Sequence, residues 1–170
     1  MSRPEPLVRI PVGVVVERRK ASNPWVDFVW CPVAVLPGVP DMAPWTVLAA
    51  ETDKTNFYAG ATDIELYRSD TSGYRDNLAT STGQLWVALR PTDRGQPYEV
   101  MAVTADPGGG EAFSDSATYL VEAVPMPEPV RRTLDDFVAA HHVEREFSKR
   151  KRDRADPEAM ARYVSPKDRR

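Results

Sequence analysis

LVRIPVGVVVE, residues 7–17, admits two readings, and the choice between them decides the fold. An apolar run close to an N-terminus resembles the start of a secretory signal. This one is short, carries Arg9 and Pro11, and runs into Glu17-Arg18-Arg19-Lys20 without a small-residue cleavage site. Its valines and isoleucine are β-branched and stiff at χ1, which suits a pleated strand. We read it as the first strand of a β-rich domain, after a loose leader at residues 1–6.

Working outward, the same signals recur at short intervals. Val26–Leu36 reads as a second strand, with Phe28 and Trp30 on one face and Val29, Cys31, Val33 and Val35 on the other. Pro32 lacks a donor for the ladder, so this strand belongs at an edge or carries a bulge. Trp45–Glu51 and Asn56–Tyr67 follow, joined as a hairpin through Thr52-Asp53-Lys54, with Gly60 marking a bulge. Leu85–Arg90, Tyr98–Ala105 and Tyr119–Val124 complete the set. Short connections and the lack of a strand–helix–strand rhythm predict an α+β, mainly β fold of about seven strands. The expected architecture is an antiparallel sandwich or partly open barrel. Sixteen prolines against nine glycines fit strands and turns better than long helices.

One amphipathic helix is expected near the C-terminus, opening at Pro127 or Pro129, where a missing N–H costs nothing. Val130, Leu134, Phe137, Val138 and His141 form one stripe at about 100° per residue. The stripe breaks after His142, since Val143 and Phe147 point elsewhere. The expected organisation is therefore a globular unit at residues 7–147 and a basic tail at 148–170, with a short helix from Asp156-Pro157 to Tyr163.

At 170 residues, 42% hydrophobic and 28% charged, the chain can bury a core without metal or disulfide support. Cys31 is the only cysteine, which excludes an internal disulfide and a cysteine-rich metal site and fits a reducing cytoplasm. No stretch reaches the roughly 18–20 apolar residues of a membrane span. The net charge of −3 is unevenly spread. Lys149–Arg170 holds 9 basic and 4 acidic residues, net +5, and the rest holds 13 basic and 21 acidic, net −8. Such asymmetry marks an interaction tail.

Few residues point to chemistry. Glu144 and Glu146 stand three and four residues beyond His141 and His142. A divalent metal needs three or four rigid ligands, and no further histidine exists, so no metal or other cofactor is expected. His141 reads first as a semi-buried cap on the helix face, bonded to backbone or Glu144, and a pH-sensitive contact of His141 and His142 is the second reading. Cys31, on an apolar strand face, reads as an inert thiol. Gly108-Gly109-Gly110 opens no phosphate-binding motif and reads as a flexible turn. The polar stretch from Ser69 reads as a loop with one helical turn, and Asp70, Tyr74, Arg75, Asp76 and Asn77 are its candidate ligand-binding residues. Phe147, Lys149, Arg150, Lys151, Arg152 and Arg154 are candidates for binding a partner. The acidic body argues against nucleic acid, and an acidic protein face is the better match. Val143 and Phe147 could also join two copies in a homodimer. Trp25 follows a turn and is expected to be exposed.

Taken together, IPVGVVVERRK at Ile10–Lys20, NPWVD at Asn23–Asp27, SDTSGYRDNL at Ser69–Leu78, LWVALRP at Leu85–Pro91, YEVMAVTADP at Tyr98–Pro107, FVAAHHVE at Phe137–Glu144 and FSKRKRDRADPEA at Phe147–Ala159 carry a family likeness. The chain resembles a bacterial family of unknown function encoded near molybdenum-dependent formate dehydrogenase genes, sometimes labelled molybdopterin-guanine dinucleotide biosynthesis proteins. The resemblance implies a non-catalytic accessory protein that binds a molybdoenzyme of that type or its maturation factors. It supplies no catalytic residues. Nucleotidyl transfer would need a glycine-rich loop after the first strand, where this chain has Glu17-Arg18-Arg19-Lys20. The alternative is a small-molecule binder or enzyme acting on a molybdenum cofactor precursor. That reading requires Arg75, Asp76, Asn77 and His141 to meet at one pocket.

Overall fold

Val8–Lys20 is strand β1, and it is the axis of the molecule. The computed structural model describes residues 2–144. Strands β2 (Phe28–Pro37), β3 (Thr46–Ala50) and β4 (Lys54–Leu66) join it in a four-stranded sheet of order β2-β1-β4-β3. Strands β5 (Gln84–Pro91), β6 (Tyr98–Thr104) and β7 (Leu120–Pro125) form a second sheet of order β6-β5-β7. Every pairing is antiparallel. The fold is therefore mainly β, seven strands in two sheets, and the barrel does not close: β4 lies against β6 and β2 against β7 without joining the sheets into one ladder.

Alternation in β1 builds the core. Val12, Val14 and Val16 are fully buried and face Leu85, Val87 and Leu89 of β5 in one cluster. Each buried valine contributes on the order of 1.5–3 kcal/mol of burial free energy. Val15, on the opposite face, packs beside Tyr58. The register of β1 against β4 shifts between Val14, opposite Gly60, and Val15, opposite Tyr58, so Ala59 is the extra residue of a bulge. Gly60 has φ 138°, a conformation that L side chains rarely adopt, which is why glycine stands there. Pro32 also sits as expected. β2 is an edge strand, and its register slips between Ala34 and Pro32, leaving Val33 bulged. Pro11 is tolerated in the central strand because β2 begins to pair only at Val12.

Among the described residues three helices attach to this frame: α1 (Thr71–Ala79), α2 (Pro107–Ser114) and α3 (Glu128–His141), with one turn of 3₁₀ helix at Arg68–Asp70 before α1. Helix α3 follows the expected stripe, with Val130, Leu134 and Phe137 buried, and its last residue is His141. It packs on α1 through Phe137 and Tyr74, whose ring centroids lie 6.0 Å apart, and Arg131 donates to the Leu78 carbonyl at 2.9 Å.

Two stretches differ from the sequence reading. The expected loop at Ser69–Asn77 is helical, and so is the expected turn at Gly108–Gly110. In the second case the Asp106 carboxylate accepts from Gly108 N at 3.3 Å and Gly109 N at 3.0 Å, and Pro107 occupies the first turn. Of the three glycines, Gly110 is required by packing. A Cβ on Gly110 would run into the Trp86 indole, so glycine lets α2 lie flat on the second sheet.

Candidate protein-binding surface

The register of the first sheet carries its inner face past the end of the second. Paired residues in an antiparallel ladder project to the same side. Val16 is paired with Pro32 and Phe57, Phe57 with Val47, Arg18 with Trp30 and Thr55, and Lys20 with Phe28. Val16 is fully buried, so the next inward positions along β1 are Arg18 and Lys20, beyond the end of the core. There the sheet presents an interlocked group of rings. Trp30 meets Trp45 edge-on at 5.9 Å, Phe57 at 5.8 Å and Tyr98 of β6 at 6.1 Å. Trp45 meets Phe57 at 5.8 Å. Trp45 is held with φ 68°, the single non-glycine residue of positive φ among the described residues.

Over this group lies the Arg18 guanidinium, 4.5 Å from the Phe28 ring centroid, 5.3 Å from Phe57 and 5.8 Å from Trp30. Cations are attracted to the negative faces of aromatic rings, and the attraction strengthens with desolvation. The neighbouring Arg19 bonds Glu17 on the outer face, at 2.7 and 3.0 Å. Arg18 belongs to no ion pair among the described residues.

Around the rings the surface stays apolar and open. Trp25 is 90% exposed, as its place after a turn predicted, and Val26, Phe28, Val47 and Leu48 are exposed as well, while exposed Val29, paired with Arg19, lies on the outer face. Every residue of β3 is exposed, and its far edge carries no strand among the described residues. A cleft of about 300 Å³ between β4 and the Thr92–Gln96 turn opens beside Trp45 and Tyr98, with Arg94 on its wall.

The candidates nominated from sequence lie at the other side of the molecule, around α1 and α3. Successive helical positions diverge by about 100°, so the four residues Tyr74 to Asn77 cannot all converge: Tyr74 and Asn77 share the buried face, and Arg75 and Asp76 are exposed. Asn77 is 3% exposed and serves the fold: its amide donates to the carbonyls of Gln84 at 2.8 Å and Ala105 at 2.9 Å, and its oxygen accepts from Gln84 N at 2.9 Å. Tyr74 is buried, its hydroxyl accepts from Tyr67 N at 3.1 Å, and burial pushes its pKa up to about 12. Asp70 bonds Arg3 at 2.7 Å. Asp76 is exposed.

Of these residues Arg75 alone meets a histidine, His142. Its guanidinium is 3.0 Å from His142 Nε2 and 3.0 Å from Glu144 Oε1, and His142 Nδ1 is 3.3 Å from the Thr71 hydroxyl. His141 instead stacks on Phe137 at 4.6 Å and lines a separate cleft of about 460 Å³ with Arg68, Ser69, Thr71, Ser72 and Val143. The four residues required by the cofactor-precursor reading therefore do not share one pocket. Phe147, Lys149, Arg150, Lys151, Arg152 and Arg154 lie outside the described residues.

Cys31 is half-buried on the outer face of β2. Burial raises its pKa first, and the Glu122 and Glu17 carboxylates add to the effect, all against thiolate formation. Among the described residues, no three His, Cys, Asp or Glu side chains gather as metal ligands, and no helix is long and apolar enough to cross a membrane.

Sequence reasoning missed the aromatic surface because Phe28, Trp30, Trp45 and Phe57 lie on three different strands, and nothing local to any one of them shows that they meet. The available signal was Arg18 and Lys20 continuing the inward alternation of Val12, Val14 and Val16.

The molecule is thus a two-sheet antiparallel protein with an open aromatic end. Residues 11–151 match a family model described as "Protein of unknown function (DUF3305)", and the chain belongs to that family. No curated protein and no solved structure matches it.

Proposed function

We propose that this protein is a non-catalytic accessory or assembly protein that docks on another protein through the aromatic end of its first sheet. The observation that carries this reading is the end of the first sheet where Phe28 and Val47 stand exposed on the inner face beside half-buried rings and Arg18, with Trp25, Val26 and Leu48 exposed on the adjoining chain. Large exposed apolar patches mark interaction sites, and Trp, Tyr and Arg dominate the binding energy of interfaces. The finer reading rests on the family resemblance: the partner is a formate dehydrogenase-type molybdoenzyme or one of its maturation factors. The basic stretch from Lys149 to Arg154 supplies a second contact with an acidic partner, argued from its charge alone.

The test is a pull-down from native extract with three baits, bound proteins being identified by mass spectrometry. The baits are the full-length chain, the chain ending at Glu146, and the full-length chain with Trp25→Ser and Phe28→Ser. The reading expects molybdoenzyme subunits or maturation factors on the first bait and their loss on the third. Equal recovery on the first and third baits would refute docking through the aromatic end. Loss on the second bait alone would move the contact to the tail.

A further inference from the structure

We infer that the aromatic end recognises a carboxylate: its occupant is a segment of a partner protein that sets an Asp or Glu side chain, flanked by apolar ones, on the Arg18 guanidinium. This rests on the docking reading above and adds the chemistry of the docked segment.

Charge on this face is of one sign. On the inner face of this end the projecting residues are Phe28, Phe57 and Val47 together with Arg18, Lys20 and Thr55, beside Trp30, which Tyr98 of the second sheet partly covers. Two are cations and none is an acid. The carboxylate of Glu17 lies on the opposite face, engaged by Arg19. Arg18 is half-buried and held by three ring contacts, so its geometry is fixed before a ligand arrives. A guanidinium has five donors in a planar fork, and stacking on rings leaves those in its plane free. The group that satisfies such a fork is a carboxylate, taken in two parallel hydrogen bonds. The surrounding apolar side chains would exclude water from that pair and strengthen it. The partner's surface must then be apolar with an acid inside it. The basic tail calls for the same sign of partner.

The test uses the full-length protein and a displayed library of random linear peptides as probe. Enriched peptides are expected to carry an Asp or Glu between apolar residues. One of them, made synthetically, should bind Arg18→Met at least about tenfold more weakly than the parent chain, and lose affinity as salt is raised. Methionine keeps the packing over the rings, and an unchanged thermal midpoint checks the fold. Arg18→Glu should recover affinity for the same peptide with its acid replaced by Lys. Enrichment of peptides without an acid, absence of any Arg18-dependent binder, or equal affinity for the parent and Arg18→Met would overturn the inference. So would a concentration-dependent dimer undone by Phe28→Ser and indifferent to Arg18→Met, which assigns the face to a second copy. In the native-extract experiment, a partner lost with Trp25→Ser and Phe28→Ser but kept with Arg18→Met leaves docking standing and removes the carboxylate. A partner kept by both variants removes both.

Discussion

Replacing Asn77 by alanine should cost the fold about 3–5 kcal/mol, although the residue lies in a polar stretch that resembles a binding loop. The magnitude follows from its three hydrogen bonds, which fasten α1 to the first residue of β5 and to Ala105, just beyond the end of β6. Each bond contributes about 1 kcal/mol net, and truncation leaves main-chain groups of Gln84 and Ala105 without partners at roughly 1–3 kcal/mol each where water cannot reach. A loss of that size is a large share of the roughly 5–15 kcal/mol that stabilises a domain. Asn77→Asp is the sharper probe. It keeps the acceptor for Gln84 N but turns the donor into an oxygen facing two carbonyls. The new carboxyl would be held neutral in the fold, with its pKa raised above the unfolded value of about 3.9. Its contribution is then fully present below that value and lost as pH rises, so this variant should fall further behind the parent at pH 7 than at pH 4. Urea unfolding followed by tryptophan fluorescence and far-ultraviolet circular dichroism measures both variants. A loss below about 1 kcal/mol for Asn77→Ala, or an Asn77→Asp variant as stable as the parent at pH 7, would refute the assignment.

Tyr74 makes a related alkaline prediction. Its pKa is raised to about 12 in the fold, so the native state holds a proton that the unfolded state releases above about pH 10. Stability from this group is complete below pH 10 and falls by roughly 2–3 kcal/mol on approach to pH 12; Tyr74→Phe should flatten that fall, read as the difference between the two denaturation profiles. Gly110→Ala should destabilise by about 1–3 kcal/mol and change the near-ultraviolet dichroism of Trp86, because the added methyl meets the indole. Glu144→Ala should cost under about 1 kcal/mol, since its pair with Arg75 is solvent-exposed, and thermal denaturation checks it.

The strands were legible because each carries its own period-2 signal, and two of the bulges because proline and glycine announce them, whereas the shifts at Val47–Ala49 and Ala88–Leu89 carry no such residue. Pro32 and Gly60 both stand at register shifts. Helix α3 was legible from Val130, Leu134 and Phe137 at helical spacing. Helix α2 was obscured by three glycines, residues that weaken a helix unless tertiary contact demands them, as Trp86 does of Gly110. Helix α1 was obscured because Thr71-Ser72-Gly73 resembles turn chemistry, while what favours the helix comes from far along the chain, at Gln84, Ala105 and Phe137. The aromatic surface depends on where the second sheet stops relative to the first. That offset arises from long-range packing, which no local pattern reports.

Hydrogen exchange on the complex between this chain and the partner it captures tests the docking claim most directly. Slowed exchange is expected at residues 25–30 and 46–48, which carry the exposed apolar side chains of the free protein, with little change along α1. Protection confined to the 68–79 segment, or none at the aromatic end, would contradict it.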